Sequence, residues 1–166
     1  PVPGDLYRSA YGDYVAGKAD LALSGFQTFL QRYPDSDLAD DAQFYLADCY
    51  LLKKEYKTAR AEFDKVLAMS SDYRKQSLLK RAYALEGSKD LKDRDLTLQA
   101  LIKEFPDSTE ADSAKDKALL DSLADGSGLP QAGRFEVTRV IDGRAVTIRG
   151  AMVDGVPKIG TAFVAP

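Results

Sequence analysis

Two eleven-residue phrases, Phe26-Gln-Thr-Phe-Leu-Gln-Arg-Tyr-Pro-Asp-Ser36 and Leu98-Gln-Ala-Leu-Ile-Lys-Glu-Phe-Pro-Asp-Ser108, recur in this chain 72 residues apart. Internal repetition constrains a fold strongly, because each unit has to offer its neighbours the same apolar faces. Half of that interval is about the length of one helix-turn-helix unit. A middle copy is therefore expected to end near position 71, where Phe63-Asp-Lys-Val-Leu-Ala-Met-Ser-Ser71 stands.

The best-formed unit runs from Asp40 to Tyr73, 34 residues. Its Leu46, Ala47, Tyr50, Tyr56, Ala59, Phe63 and Leu67 resemble the alternation of small and large packing positions in a tetratricopeptide (TPR) repeat. Ala47 and Ala59 permit close approach of two antiparallel helices, and Tyr50 and Phe63 fill the space beside them. One such pair cannot bury its own face, whereas a stack can. The expected fold class is mainly α, a TPR-like solenoid of three helix pairs at 5–16 and 20–33, 39–53 and 56–69, and 73–86 and 91–105. A capping helix at 109–123 and a small C-terminal antiparallel β segment complete it.

Proline ends one helix in each Pro-Asp-Ser phrase, and Asp or Ser is placed to cap the next. The acids Asp35, Asp37, Asp40 and Asp41 at helix starts are read as dipole-favoured capping residues rather than catalytic carboxylates. The third unit is less regular, with Arg94 at a slot suited to alanine, so its second helix is expected to begin late or splay. The repeat domain spans 1–123, a Gly-rich linker 124–133, and a β tail 134–166. Asp142-Gly143 suits a type I′ hairpin turn that sets Val137 opposite Ile148 and Glu136 opposite Arg149. A third strand follows Asp154-Gly155, and Pro157 confines it to an edge or delays its start. The tail has too little core to stand alone, so it docks on the repeats, exchanges with a second chain in a homo-oligomer, or is foreign to them.

The chain contains no histidine and one cysteine among its 166 residues, and its net charge is −3. The commonest general base is thereby missing, as are metal sites built from Cys and His. No calcium loop or phosphate-cradling glycine loop is present, so neither a cofactor nor an enzymatic activity is expected. The charge provides no global positive field to draw the protein to nucleic acid or anionic lipid, and no apolar run is long enough to span a membrane. Cys49, within a strongly helical segment, is read as a buried core thiol. A start at Pro1 without an apolar leader is expected of a processed or excised protein.

If the TPR resemblance holds, the first helix of each pair lines a concave surface. The slots facing it are Tyr7, Tyr11 and Tyr14, then Asp41, Phe44, Asp48 and Leu51, then Leu79 and Tyr83. This aromatic, mildly acidic groove suits a partner segment carrying apolar and basic residues. Tyr11 and Phe44 are read equally as core or groove, and Tyr7, Tyr14 and Asp48 as groove.

The phrase Phe26-Gln-x-Phe-Leu-x-x-Tyr-Pro-Asp-Ser36, followed by Ala42-x-x-Tyr45-Leu-Ala and by Phe105-Pro-Asp-Ser before an Ala/Lys-rich helix, resembles the periplasmic Tol–Pal system coordinator family over residues 5–123. That resemblance implies a periplasmic, non-catalytic adaptor of the bacterial cell envelope, with the Tol machinery or peptidoglycan synthesis components as partners. It also implies coupling of outer-membrane constriction to septal wall synthesis. The Tyr-Pro-x-Ser punctuation is similar also to outer-membrane assembly lipoproteins with TPR scaffolds. A structural module that self-assembles through the β tail is the alternative of a different class.

Overall fold

Apolar residues spaced three and four apart give each predicted segment one buried stripe, and the computed structural model turns those segments into helices. It describes residues 2–69, 71–124, 133–141, 144–153 and 156–164. Seven helices lie among them: α1 (Pro3–Val15), α2 (Ala19–Arg32), α3 (Ala39–Leu52), α4 (Tyr56–Ala68), α5 (Arg74–Gly87), α6 (Leu91–Glu104) and α7 (Thr109–Ala124). They agree with the three expected pairs and the capping helix. Three strands follow, β1 (Gly133–Ile141), β2 (Arg144–Val153) and β3 (Val156–Val164). The chain divides into two compact units, Pro1–Ala114 and Lys115–Pro166.

In the first unit α1 through α6 each pack on the next, and α3 also touches α1 and α5 directly. Phe26, Phe29, Ala22 and Ala42 centre one core cluster, Ala47, Ala59, Phe63 and Val66 a second, and Leu78, Ala82, Leu98 and Leu101 a third. Each large side chain fully buried in this way contributes about 1.5–3 kcal/mol. The small residues set the approach distances, as the middle unit led one to expect. A Cβ placed on Gly25 would stand 2.7 Å from the Cβ of Ala10, and Ala59 has no exposed surface.

The third pair differs from expectation. Its second helix starts on time at Leu91 and is as long as α5, 14 residues. Asp90 initiates it by accepting from the backbone N–H of Asp93. Arg94 is tolerated in the interior because its guanidinium is paired, with Nη2 2.7 Å from Asp95 and Nη1 3.6 Å from Glu86. Capping after the two prolines also divides. Ser108 accepts from Ala111 N–H at 3.1 Å and caps α7, whereas Ser36 accepts from Leu38 N–H within the turn and leaves α3 without a side-chain cap.

The second unit contains a three-stranded antiparallel sheet in the order β1-β2-β3. Val137 is the register partner of Ile148 and Glu136 of Arg149, as expected, and Glu136 and Arg149 form an ion pair. Strand β3 is an edge strand and carries Pro157 opposite Met152, while the register slips between Arg149 and Gly150. The expected linker core and both Asp-Gly turns lie outside the described residues.

Candidate partner-binding face

Tyr7, Tyr11 and Tyr14 follow one another at spacings of four and three, which places them on one stripe of α1. Their rings are arranged as a ladder, with centroids 6.1 Å apart at both steps. The ladder continues onto α3, where Tyr45 sits 5.0 Å from both Tyr11 and Tyr14. It then reaches Tyr73 at the start of α5, which lies 5.9 Å from Tyr45 and stacks on Phe44 at 4.4 Å.

Acids tie the phenols in place. The Tyr7 hydroxyl lies 3.5 Å from Asp41, and the Tyr14 hydroxyl donates to Asp48 at 2.6 Å. Lys80 of α5 donates to both oxygens of Asp48, at 2.8 and 2.9 Å. Asp48 thus joins the first helices of three successive pairs. Burial, followed by the neighbouring carboxylates, pushes Tyr7 and Tyr14 well above the ordinary phenol range. Burial and hydrogen bonding to Tyr73 do the same for Tyr45. All three therefore remain neutral hydroxyls at physiological pH. Asp41 is also raised, by burial and the adjacent Asp40, against the opposing hydrogen bond from Tyr7.

The groove residues expected from sequence separate into four groups. Tyr7, Tyr11, Tyr14 and Asp41 come together on α1 and α3, with Tyr11 38% exposed. Phe44 and Asp48 are interior, at 4% and 1% exposure, so the Asp48 charge is consumed by Tyr14 and Lys80 and is not presented outward. Leu51 and Leu79 are half-buried against the second and third clusters. Tyr83 is 39% exposed and makes no ring contact among the described residues.

Tyr45, Tyr73 and Lys80 were missed. Helices α3 and α5 begin 35 residues apart, at Ala39 and Arg74, so Tyr45 and Lys80 occupy one slot, and Tyr11 meets Tyr45 across the same 34-residue step that joins Tyr14 to Asp48. Aligning Tyr11 with Phe44 shifted that slot by one residue. Nothing in the sequence marked Lys80, because a lysine follows two tyrosines there.

By sequence the helical part matches three consecutive units of the tetratricopeptide repeat model, at residues 6–36, 41–70 and 76–108. No curated protein matches the chain significantly. Among solved structures, the Arabidopsis OM64 TPR domain superposes with a TM-score of 0.60 at 12% identity, over 69% of this chain and 92% of that one. The first TPR of Spaghetti (RPAP3) bound to HSP90 peptide SRMEEVD gives 0.62 at 17%, over 74% and 93%. The second TPR domain of human RPAP3 in complex with HSP70 peptide SGPTIEEVD gives 0.59 at 14%, over 69% and 96%. These identities establish likeness of fold. Such helical arrays serve protein interaction through extended inner surfaces. With three matched units covering more than half of its length, the chain belongs to the tetratricopeptide repeat family.

Proposed function

We propose that this protein is a non-catalytic adaptor whose inner helical face receives an extended or helical segment of a partner protein in the bacterial cell envelope. The observation that carries this reading is the ladder Tyr7, Tyr11, Tyr14, Tyr45 and Tyr73, continuous across three first helices. Pre-packed tyrosines offer large contact area with little conformational entropy left to lose, as hot-spot residues do. Asp41 adds a partly buried carboxylate, which favours a basic residue near the anchoring apolar ones. The acidic peptides held by the two RPAP3 structures would meet that carboxylate unfavourably here.

The envelope assignment rests on the Phe-Gln-x-Phe-Leu-x-x-Tyr-Pro-Asp-Ser phrase and its resemblance to the Tol–Pal coordinator. Periplasmic placement and a link to septal peptidoglycan synthesis belong to the same reading. A photoreactive phenylalanine at position 11 tests it in intact bacteria. Crosslinking to a Tol or peptidoglycan-synthesis component is the expected result. Adducts only with cytosolic proteins would reject the envelope, adducts with outer-membrane assembly factors would favour the scaffold lipoprotein, and adducts from Gln31 of α2 but none from position 11 would reject the face.

A second reading, self-assembly through the β tail, is supported by the three-stranded sheet, in which the outer strands β1 and β3 each pair on one side only, the arrangement that strand addition extends. Light scattering of the full chain against residues 1–123 separates it from the first, since only self-assembly requires the larger mass to vanish with the tail.

A further inference from the structure

Each turn between paired helices contains a left-handed residue, and its identity changes along the stack. Gly17 closes α1 at φ 73°, but Lys54 and Lys89 take the equivalent places after α3 and α5 at φ 62° and 64°. Glycine adopts this conformation freely, whereas lysine does so against a Cβ clash. Three residues later Lys57 and Lys92 lie in the first turns of α4 and α6, where the helix dipole disfavours cations. Four lysines thus hold positions that local energetics oppose. All four are exposed and, among the described residues, none is ion-paired. Lys18, Lys53, Lys65, Lys75 and Lys80, by contrast, each pair with a carboxylate.

These turns share one edge of the repeat unit. Lys53 reaches back to Asp20 at 2.7 Å, and a Cβ on Gly87 would lie 2.4 Å from the Tyr56 ring, so each turn abuts the next. Leu52 and Leu91 flank the lysines at 59% and 49% exposure, and Val15 and Leu21 are exposed at the first turn. Carboxylates share this edge, but Asp20 and Glu55 are taken up by Lys53 and Asp95 by Arg94. Apolar tips interleaved with unpaired lysines therefore match a surface that is anionic outside and hydrocarbon just beneath. A purely acidic segment would satisfy the lysines but leave the leucines in water. The net charge of −3 opposes long-range attraction, so the lysines act only within roughly one Debye length, about 8–10 Å.

We propose that this edge is a docking surface for anionic lipid membranes, with Lys54, Lys57, Lys89 and Lys92 supplying charge and Leu52 and Leu91 the apolar anchors. It is distinct from the tyrosine face and does not depend on it.

Flotation of the full chain with vesicles of phosphatidylcholine, alone or mixed with phosphatidylglycerol, tests the proposal. The wild type is expected to float with the anionic vesicles only and to be released by salt. The K54G/K89G variant relieves the backbone strain, so it should melt at a higher temperature while binding worse. The loss is about fivefold per lysine near an anionic surface, roughly 25-fold for the pair. Leu52→Ser/Leu91→Ser should also weaken flotation. Equal flotation with neutral vesicles, or a K54G/K89G variant that melts higher but floats like the wild type, would overturn the proposal. A polyglutamate peptide that binds through these lysines while vesicles fail to float would overturn it in favour of an acidic protein partner.

Discussion

Tyr14 and Asp48 stand 34 residues apart, one repeat, and their side chains meet in a 2.6 Å hydrogen bond that joins the same slot of α1 and α3. Lys80 closes on both oxygens of the same carboxylate. The stack is therefore fastened through its inner helices by one buried acid as well as by apolar packing.

Removing that acid should be expensive. Asp48→Ala leaves the partly exposed Lys80 and the half-buried Tyr14 hydroxyl without their partner, at a cost of about 1–3 kcal/mol. Asp48→Asn retains an acceptor for Tyr14 and should lose less. Urea unfolding of both variants checks the order, and an Asn variant as damaged as the alanine one would mean that the Lys80 charge pair carries the effect alone.

Gly25→Ala contrasts two known magnitudes. Helix propensity gains up to about 1 kcal/mol from the change. The new Cβ, however, would stand 2.7 Å from Ala10 Cβ and 3.2 Å from Ala10 Cα, so backbone has to move. Overpacking of this kind costs about 1–3 kcal/mol, and a net loss is expected. Ala59→Leu, at a site with no exposure, should lose a similar amount, and calorimetry of both variants measures it.

Arg60, Asp64, Arg81 and Asp93 form a closed ring of alternating charge that ties α4 to α5 and α6, with ion pairs of 2.6 to 3.7 Å. Arg81, the least exposed member, also donates to Thr97. Arg81→Met should lower stability by about 1–2 kcal/mol at low salt, and the difference should narrow as salt screens the more exposed members. Melting temperatures of the two proteins at low and high salt provide the comparison.

Alkaline pH should unfold the protein cooperatively. Tyr7, Tyr14 and Tyr45 have folded pKa values raised by burial above the ordinary value of 10.0. The native state therefore retains protons that the unfolded chain gives up. Their contribution to stability is complete below about pH 10 and is lost as pH climbs through the folded values. Cys49, pushed up to about 12 by burial and then by Asp48, adds to the same loss from about pH 9. Denaturant midpoints should be flat from neutral pH to pH 9 and then fall, and native Cys49 should resist a thiol reagent at pH 8.

The sequence by itself determined the repeat, the seven helices, the strand order and the hairpin register. Each follows from short-range rules: periodic apolar residues, proline and Asp-Gly punctuation, and alternation along strands. Helix α6 shows the limit of such rules, because Arg94 looked like an interruption until tertiary ion pairs with Glu86 and Asp95 accommodated it. The candidate face was legible on α1, where Tyr7, Tyr11 and Tyr14 declare their own stripe. On α3 and α5 only the tertiary structure decided which residues take part. A one-residue change of slot exchanges Tyr45 for Phe44, and a buried carboxylate looks the same in sequence as an exposed one. Asp48 is interior because Tyr14 and Lys80, 34 and 32 residues away, converge on it; the pairing that offsets desolvation of its charge exists only once three helices have packed.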